Sequence, residues 1–270
     1  MPNSERTPVK KKSSAPSVIA MIPARYGSTR LPAKPLIDLC GKPMIQHVYE
    51  RTRRASLVKE VIVLTDHREI AAAVERFGGT AVMTSPDIRS GSDRIAVAVK
   101  GRRDADIIVN VQGDEPLINP AMIDEAVRPL LEDPSISVAT LVKQISSAGD
   151  IRNPNMPKVV LDGEGFAIYF SRSPIPFLRD ELSEGTWHLR HPYYKHIGLY
   201  VYRRNALLRF SEWGESALER AEKLEQLRFI EHGCRIKAVV TKHESFPVDT
   251  VEDVENIRRI LQDTKGEQLP

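Results

Sequence analysis

The strongest constraint on the fold is an alternation between short apolar runs and longer segments of helical character. The apolar runs cover residues 18–22, 61–64 and 107–111, and helical patterns cover 44–55 and 69–77. Apolar runs with few flanking charges are typical of strands buried on both faces, as in a parallel sheet. The repeated order of strand, helix and strand therefore predicts an α/β fold with a doubly wound, mostly parallel sheet.

The pattern changes after about residue 137. Strand-like segments joined by turns now follow one another, at residues 138–145, 158–161, 167–171 and 196–202. Successive strands of this kind favour antiparallel pairing. We therefore expect one domain over residues 18–264, in which about 137–203 form an antiparallel insertion subdomain that binds sugar or another subunit.

Charge and cysteine content limit the class of protein. The net charge of +3 does not by itself indicate a nucleic-acid partner. Cys40 and Cys234 are the only cysteines, too few for a disulfide framework or a zinc site, which is typical of a cytoplasmic protein. No apolar run approaches the roughly 18–20 residues of a membrane span. Residues 1–17 carry three adjacent lysines and no apolar signal region, and we expect a disordered basic tail.

A basic loop follows the first predicted strand. It contains Arg25, Arg30 and Lys34, with Ser28 and Thr29 between them. Because it follows a strand, the loop lies at the carboxyl edge of the sheet, where open α/β folds bind ligands. Cations and close backbone N–H groups suit a triphosphate. The loop is neither a Walker A nor a GxGxxG motif, and a solvated basic loop is the alternative interpretation.

The acidic candidates are Asp114 and Asp249. Asp114 comes just after the run 107–111, where a carboxylate could hold Mg²⁺ beside the phosphate loop. Pro116 constrains the chain at Glu115, which we expect to point elsewhere. Taken alone, Asp249 fits the N-terminal cap of a following helix better than a metal ligand.

Ten stretches of this chain, in this order, resemble one enzyme family. They are residues 22–35, 41–48, 83–86, 90–94, 109–116, 153–155, 169–172, 196–200, 224–228 and 248–250. Over about residues 18–262 the chain is similar to 3-deoxy-manno-octulosonate (Kdo) cytidylyltransferases, which are sugar nucleotidyltransferases. Ala33 departs from the family pattern, which has glycine there. If that position needs a positive φ, alanine costs about 1 kcal/mol.

The resemblance implies an activity, a cofactor and an assembly. It implies a Rossmann-like nucleotidyltransferase that transfers CMP from CTP to the anomeric hydroxyl of Kdo, for lipopolysaccharide synthesis, and releases pyrophosphate. It also implies Mg²⁺ as cofactor and a homodimer in the cytoplasm. Lys34, Arg25 and Asp114 would be catalytic, and Asp114 and Asp249 would hold the metal.

The resemblance also implies the substrate contacts. Those for the nucleotide are Pro23, Ala24, Arg25, Ser28, Thr29, Arg30, Lys34, Ser92, Arg94 and Gln112. Those for the sugar are Arg172, His196, Glu225 and Gln226. Arg172 and His196 lie near predicted strand ends, and the other two share one face of a helix predicted over 216–232, with Glu222. Without the resemblance, that face would be interpreted as solvated and His196 as a packing residue.

Three alternatives stay open. The first is a cytidylyltransferase for another acidic sugar, such as a sialic acid or an amino-substituted Kdo. The second is a nucleotide-binding protein without turnover, against which Lys34, Asp114 and Asp249 argue. The third is a nucleic-acid binder that uses the lysine-containing tail.

Overall fold

The computed structural model describes residues 15–27, 31–88, 90–181 and 183–263. Its strands are β1 (Val18–Ala24), β2 (Asp38–Leu39), β3 (Lys42–Pro43), β4 (Glu60–Thr65), β5 (Thr80–Met83), β6 (Ile107–Asn110), β7 (Val138–Gln144), β8 (Lys158–Leu161), β9 (Ala167–Ser171), β10 (Tyr194–Arg203) and β11 (Lys237–Val240). Its helices are α1 (Met44–Thr52), α2 (Arg68–Arg76), α3 (Gly91–Lys100), α4 (Pro120–Glu132), α5 (Ala148–Arg152), α6 (Trp187–Arg190), α7 (Arg204–Glu212), α8 (Ala217–Glu222), α9 (Leu227–Glu231) and α10 (Val251–Asp263). Short 3-10 turns cover Lys34–Leu36 and Glu184–Thr186.

The main sheet has the order β11-β7-β10-β6-β1-β4-β5 within the described residues. Strand β1 pairs in parallel with β4 and β6, β4 with β5, and β11 with β7. Strand β10 runs antiparallel to both β6 and β7. The predicted α/β fold with a mostly parallel sheet is confirmed. No described helix has the length and apolar character that crossing a membrane requires.

Burial on both faces explains why the parallel strands are continuously apolar. Ala20 and Val109 face the layer that contains α1 and α4, whereas Met21 and Ile108 face the layer that contains α3 and α7. Alternate side chains of a strand point to opposite faces, so a strand covered on both sides needs apolar residues at every position.

The antiparallel strands belong to the same sheet as the parallel ones. We expected the strands of residues 137–203 beside the main sheet, but β7 and β10 lie inside it, between β11 and β6. Strand β8 pairs antiparallel with the start of β10, and β9 extends that pairing. The start of β10 therefore meets the ends of β1 and β6 at one edge, because β10 runs in the opposite direction. The domain boundaries at 137 and 203 remain a prediction.

The prediction of a single helix over residues 216–232 is wrong. The chain forms α8, turns at Lys223 with φ 54°, and resumes a helix only at α9. The two helices are joined by a buried ion pair in which Arg228 donates to both carboxylate oxygens of Glu219, at 2.6 and 2.7 Å. Glu225 and Gln226 consequently lie in the turn between the helices, and the expected common helix face does not exist.

Candidate active site

The loop after β1 is held by a strained turn. Arg25 is exposed just beyond the strand, whereas Ser28, Thr29 and Arg30 lie outside the described residues. Ala33 has φ 53° and ψ 32°, and its N–H donates to the Tyr26 carbonyl at 3.2 Å. The position therefore does adopt the left-handed conformation that favours glycine, at a cost of roughly 1–2 kcal/mol for alanine. This conformation directs the following residue, Lys34, toward the sheet edge.

The Lys34 ammonium joins two carboxylates that are distant in sequence. Its Nζ donates to Asp114 Oδ2 at 2.7 Å and to Asp249 Oδ1 at 3.2 Å, and also to the Val248 carbonyl at 2.8 Å. Side-chain exposures of 16% for Lys34, 30% for Asp114 and 48% for Asp249 show that the cluster stays open to solvent. Lys34, Asp114 and Asp249, which the sequence analysis named separately, therefore lie together at one edge of the sheet.

Glu115 explains how Asp249 reaches this place. Its buried carboxylate accepts from Ser245 Oγ at 2.5 Å and from the Phe246 N–H at 3.1 Å, and so anchors the segment that leads to Asp249. The Val248 N–H also donates to the Asp114 carbonyl at 2.9 Å. Burial raises the pKa of Glu115 to about 7. The Glu115 carboxylate is thus bonded to Ser245 and Phe246, whereas the Asp114 carboxylate is bonded to Lys34.

The Asp249 carboxylate accepts from Lys34, and the side chains of Thr250 and Asp253 bond to the backbone at the start of the following helix. At the start of α10, Thr250 Oγ1 accepts from the Asp253 N–H at 3.2 Å. Asp253 in turn accepts from the N–H groups of Asp249 and Thr250, at 2.9 and 2.8 Å. The capping role thus falls to Thr250 and Asp253, while the carboxylate of Asp249 turns to Lys34.

A cavity of about 340 Å³ lies over the cluster. The predicted nucleotide residues that line it are Pro23, Ala24, Arg25, Lys34, Arg94 and Gln112. Gly113 also lines it and was not singled out from the sequence. A Cβ at Gly113 would lie 2.8 Å from the Pro23 carbonyl oxygen, so only glycine lets the chain pass this close to β1.

Arg94 is turned toward its own protein. Its guanidinium is buried and donates to Asp66 Oδ2 at 3.2 Å, to Thr84 Oγ1 and to the Ile88 carbonyl at 3.3 Å. These bonds fix the segment that precedes α3. Arg94 therefore shapes the wall of the cavity, and its charge is compensated by Asp66.

A wider cavity of about 570 Å³ opens beside the first, along the start of β10. The four predicted sugar residues all line it, with Ser92 and Gln112. An aromatic wall completes it, formed by Tyr200, Tyr202, Phe210 and Phe229. Gln112, Asp114 and Asp249 line both cavities, so the two aspartates of the cluster lie where the cavities meet.

Burial shifts the pKa values of several groups that line the wider cavity toward their neutral forms. The pKa of His196 falls to about 3, because burial disfavours the imidazolium, and its Nε2 lies 3.1 Å from Thr140 Oγ1. Burial raises the pKa of Glu225, whose Oε2 accepts from Ser92 Oγ at 2.9 Å. Burial also raises the pKa of the Tyr200 hydroxyl.

Two polar groups of the wider cavity lack a hydrogen-bond partner among the described residues. They are the side-chain amide nitrogen of Gln226 and the hydroxyl of Tyr200. A buried polar group without a partner costs about 1–3 kcal/mol, which a ligand that bonds to it would recover. Tyr200 follows an irregularity in the pairing of β10 with β7, between residues 197 and 200, which no local sequence pattern reveals.

The chain is similar to cytidylyltransferases over most of its length. A cytidylyltransferase family model matches residues 19–238. The 3-deoxy-manno-octulosonate cytidylyltransferase of Geobacter sulfurreducens is 56% identical, over 91% of this chain and 100% of that protein. The enzyme of the same description from Geotalea uraniireducens is 57% identical, over 91% of this chain and 99% of that protein.

Solved structures give the same result. A structure of CMP:2-keto-3-deoxy-manno-octonic acid synthetase complexed with CTP has a TM-score of 0.85 and 43% identity, covering 92% of this chain and 99% of that one. A 4-diphosphocytidyl-2C-methyl-D-erythritol synthase from Anaerococcus prevotii has a TM-score of 0.61 at 12% identity, covering 92% of this chain and 100% of that one. The second comparison shows a common fold alone.

Proposed function

Because this chain belongs to the cytidylyltransferase family, and within it to the 3-deoxy-manno-octulosonate cytidylyltransferases, we propose that it transfers CMP from CTP to the anomeric hydroxyl of Kdo. Pyrophosphate is the second product, and the activated sugar serves lipopolysaccharide synthesis. The observation that carries the proposal is the meeting of Lys34, Asp114 and Asp249 between two cavities.

The narrower cavity is the proposed CTP site. Arg25 and Lys34 place positive charge on it, which suits the triphosphate and the departing pyrophosphate. Pro23, Ala24 and Gln112 line it and are proposed to contact the nucleoside. Ser28, Thr29 and Arg30 stay part of this proposal on sequence grounds.

We propose Mg²⁺ as the cofactor, held by Asp114 and Asp249. A positive group, the Lys34 ammonium, already lies between both carboxylates, so the site suits a cation, and its donors are the oxygens that Mg²⁺ prefers. Among the described residues, no three His, Cys, Asp or Glu side chains converge, so substrate and water oxygens would complete the shell. When bound, Mg²⁺ neutralises phosphate charge and lowers the pKa of a coordinated hydroxyl.

The wider cavity is the proposed sugar site. Its hydrogen-bonding groups, among them His196, Glu225 and Gln226, can orient the hydroxyls of the sugar, and neutral His196 can donate or accept. The anomeric oxygen attacks the α-phosphorus of CTP, a new P–O bond forms, and the bond to pyrophosphate breaks. This in-line displacement needs no covalent enzyme intermediate, so catalysis rests on position and charge.

The test is pyrophosphate release with Mg²⁺ and CTP in the presence of Kdo, of a sialic acid, or of no sugar. Of these three conditions, we expect release only with Kdo. We expect little release when UTP replaces CTP. Faster release with the sialic acid than with Kdo would mean that the sialic acid is the preferred substrate. No release with any sugar would support a nucleotide-binding protein without turnover and would contradict the enzyme.

We also propose a homodimer in the cytoplasm. Phe177 and Leu189 are each 72% exposed, and Phe177 packs edge-on against Trp187 in the same segment. Large exposed apolar side chains are stabilised when a second copy covers them. Both cysteines are free, which suits a reducing compartment. Light scattering at micromolar concentration should give twice the chain mass, and the mass of a single chain would contradict the dimer.

A further inference from the structure

The wider cavity has two lysine or arginine side chains among its described lining residues, Arg172 and Lys195. The sequence analysis predicted only the first of them as a sugar contact. However, Arg172 donates through Nε to the Glu222 carbonyl at 2.7 Å, through Nη1 to the Pro154 carbonyl at 2.8 Å, and through Nη2 to the Lys223 carbonyl at 3.3 Å. These bonds hold two turns against β9. Arg172 therefore stabilises the wall of the cavity.

Lys195 has a different kind of partner. It lies in β10, one residue before His196, and its Nζ lies 2.5 Å from Glu244 Oε1. The Lys195 side chain is 15% exposed, whereas Glu244 is 38% exposed, on the segment that leads to Asp249. Lys195 is thus bonded to a partly exposed side-chain carboxylate, and another carboxylate can take the place of this one.

The local charge favours such a replacement. Glu244 is shared, because Lys143 Nζ lies 3.7 Å from its Oε2. Two ammonium groups thus contact the same carboxylate. If a second carboxylate enters, Lys195 can turn to it while Lys143 keeps Glu244 paired.

We propose that Lys195 binds the carboxylate of the acidic sugar, and that Glu244 takes the place of this carboxylate when the cavity holds no sugar. The inference rests on the proposed function and deepens it, since it assigns the residue that selects acidic sugars. Arg172 keeps the wall in shape, and Glu244 competes with the substrate.

Steady-state kinetics of pyrophosphate release tests the proposal. Lys195→Met should raise KM for Kdo at least about 10-fold and change KM for CTP less than about 2-fold, as loss of one charge-assisted contact to the sugar would. Glu244→Gln should lower KM for Kdo about 2-fold or more, since it removes the competing charge. Lys100→Met is the control: it removes an exposed ammonium at the C-terminal end of α3, and KM for Kdo should change less than about 2-fold.

A substrate analogue separates binding from folding effects. The 1-carboxamide of Kdo, used as a competitive inhibitor, lacks the charge that Lys195 binds, so Lys195→Met should leave its inhibition constant unchanged. Lys195→Arg, which retains the charge, should recover most of the affinity for Kdo. An unchanged KM for Kdo in Lys195→Met, an equal loss for Kdo and its amide, or a higher KM in Glu244→Gln would overturn the proposal. If the wild-type protein releases no pyrophosphate with Kdo, the proposed function itself fails.

Discussion

The two cavities at the sheet edge use polar groups in opposite ways. In the narrower cavity, Lys34, Asp114 and Asp249 are ions that remain partly open to solvent. In the wider cavity, burial keeps His196 neutral and raises the pKa of Glu225. The comparison teaches that one sheet edge can hold solvent-open ions beside buried hydrogen-bonding groups. We expect changes on the ionic side to affect turnover, and changes on the buried side to affect stability and sugar affinity.

The largest effect should come from Asp114→Asn. It keeps the shape of the side chain but removes a charge from the proposed metal site, so kcat should fall at least about 100-fold. Asp104→Asn, which precedes β6 at the opposite edge, should keep wild-type kcat. Thermal unfolding should show that both variants fold. Near-normal turnover of folded Asp114→Asn would break the assignment of charge chemistry to this cavity.

Lys34→Ala should have the next largest effect. Loss of its charge should lower kcat/KM for CTP at least about 10-fold, because the triphosphate loses a charge-assisted contact. The exposed Lys100 of α3 provides the control, since Lys100→Ala changes the net charge equally. Unchanged CTP kinetics in Lys34→Ala would remove this lysine from the site.

The order of the strands explains which part of this site the sequence could predict. Lys34 and Asp114 follow β1 and β6, which pair side by side, so their meeting could be expected. Asp249 could be assigned only through the family resemblance. Its position depends on Glu115, which bonds to Ser245 across 130 residues of sequence, and no local pattern reveals such a contact.

The wider cavity was also hard to predict, because its shape depends on contacts between residues that are distant in sequence. No glycine or proline marks the break at Lys223, and the turn is stabilised by the buried Glu219–Arg228 pair, which depends on tertiary packing. A pattern of helix-forming residues therefore predicted one helix where two exist. The position of β10 inside the main sheet likewise depends on long-range pairing with β6 and β7.

His196→Gln should change the pH dependence of stability. The folded pKa of about 3 is below the unfolded value of about 6.5, so as pH falls through this range the unfolded state binds a proton that the folded state does not. Wild-type stability should therefore fall by about 1 kcal/mol more than that of the variant between pH 6 and 5. Urea unfolding at both pH values measures this, and exposed His232→Gln is the control. An equal pH dependence in wild type and His196→Gln would contradict a neutral, buried His196.

Ala33→Gly should have the smallest effect, and it should stabilise the fold. Relief of the positive φ outweighs the larger unfolded-state entropy of glycine, so unfolding free energy should rise by about 0.5–1 kcal/mol. Ala98→Gly in α3 should instead lower it by about 1 kcal/mol. A loss of stability in Ala33→Gly, measured by denaturant unfolding, would show that the turn is not strained.

The central claim is that Asp114 and Asp249 act on one shared cation beside the triphosphate. A double-mutant cycle of Asp114→Asn and Asp249→Asn, measured as kcat/KM with saturating Mg²⁺, tests it most directly. We predict that the double variant is about as slow as the slower single variant, because either change already disables the shared site. A loss equal to the product of the two single losses would mean that the aspartates act independently, and would contradict the account.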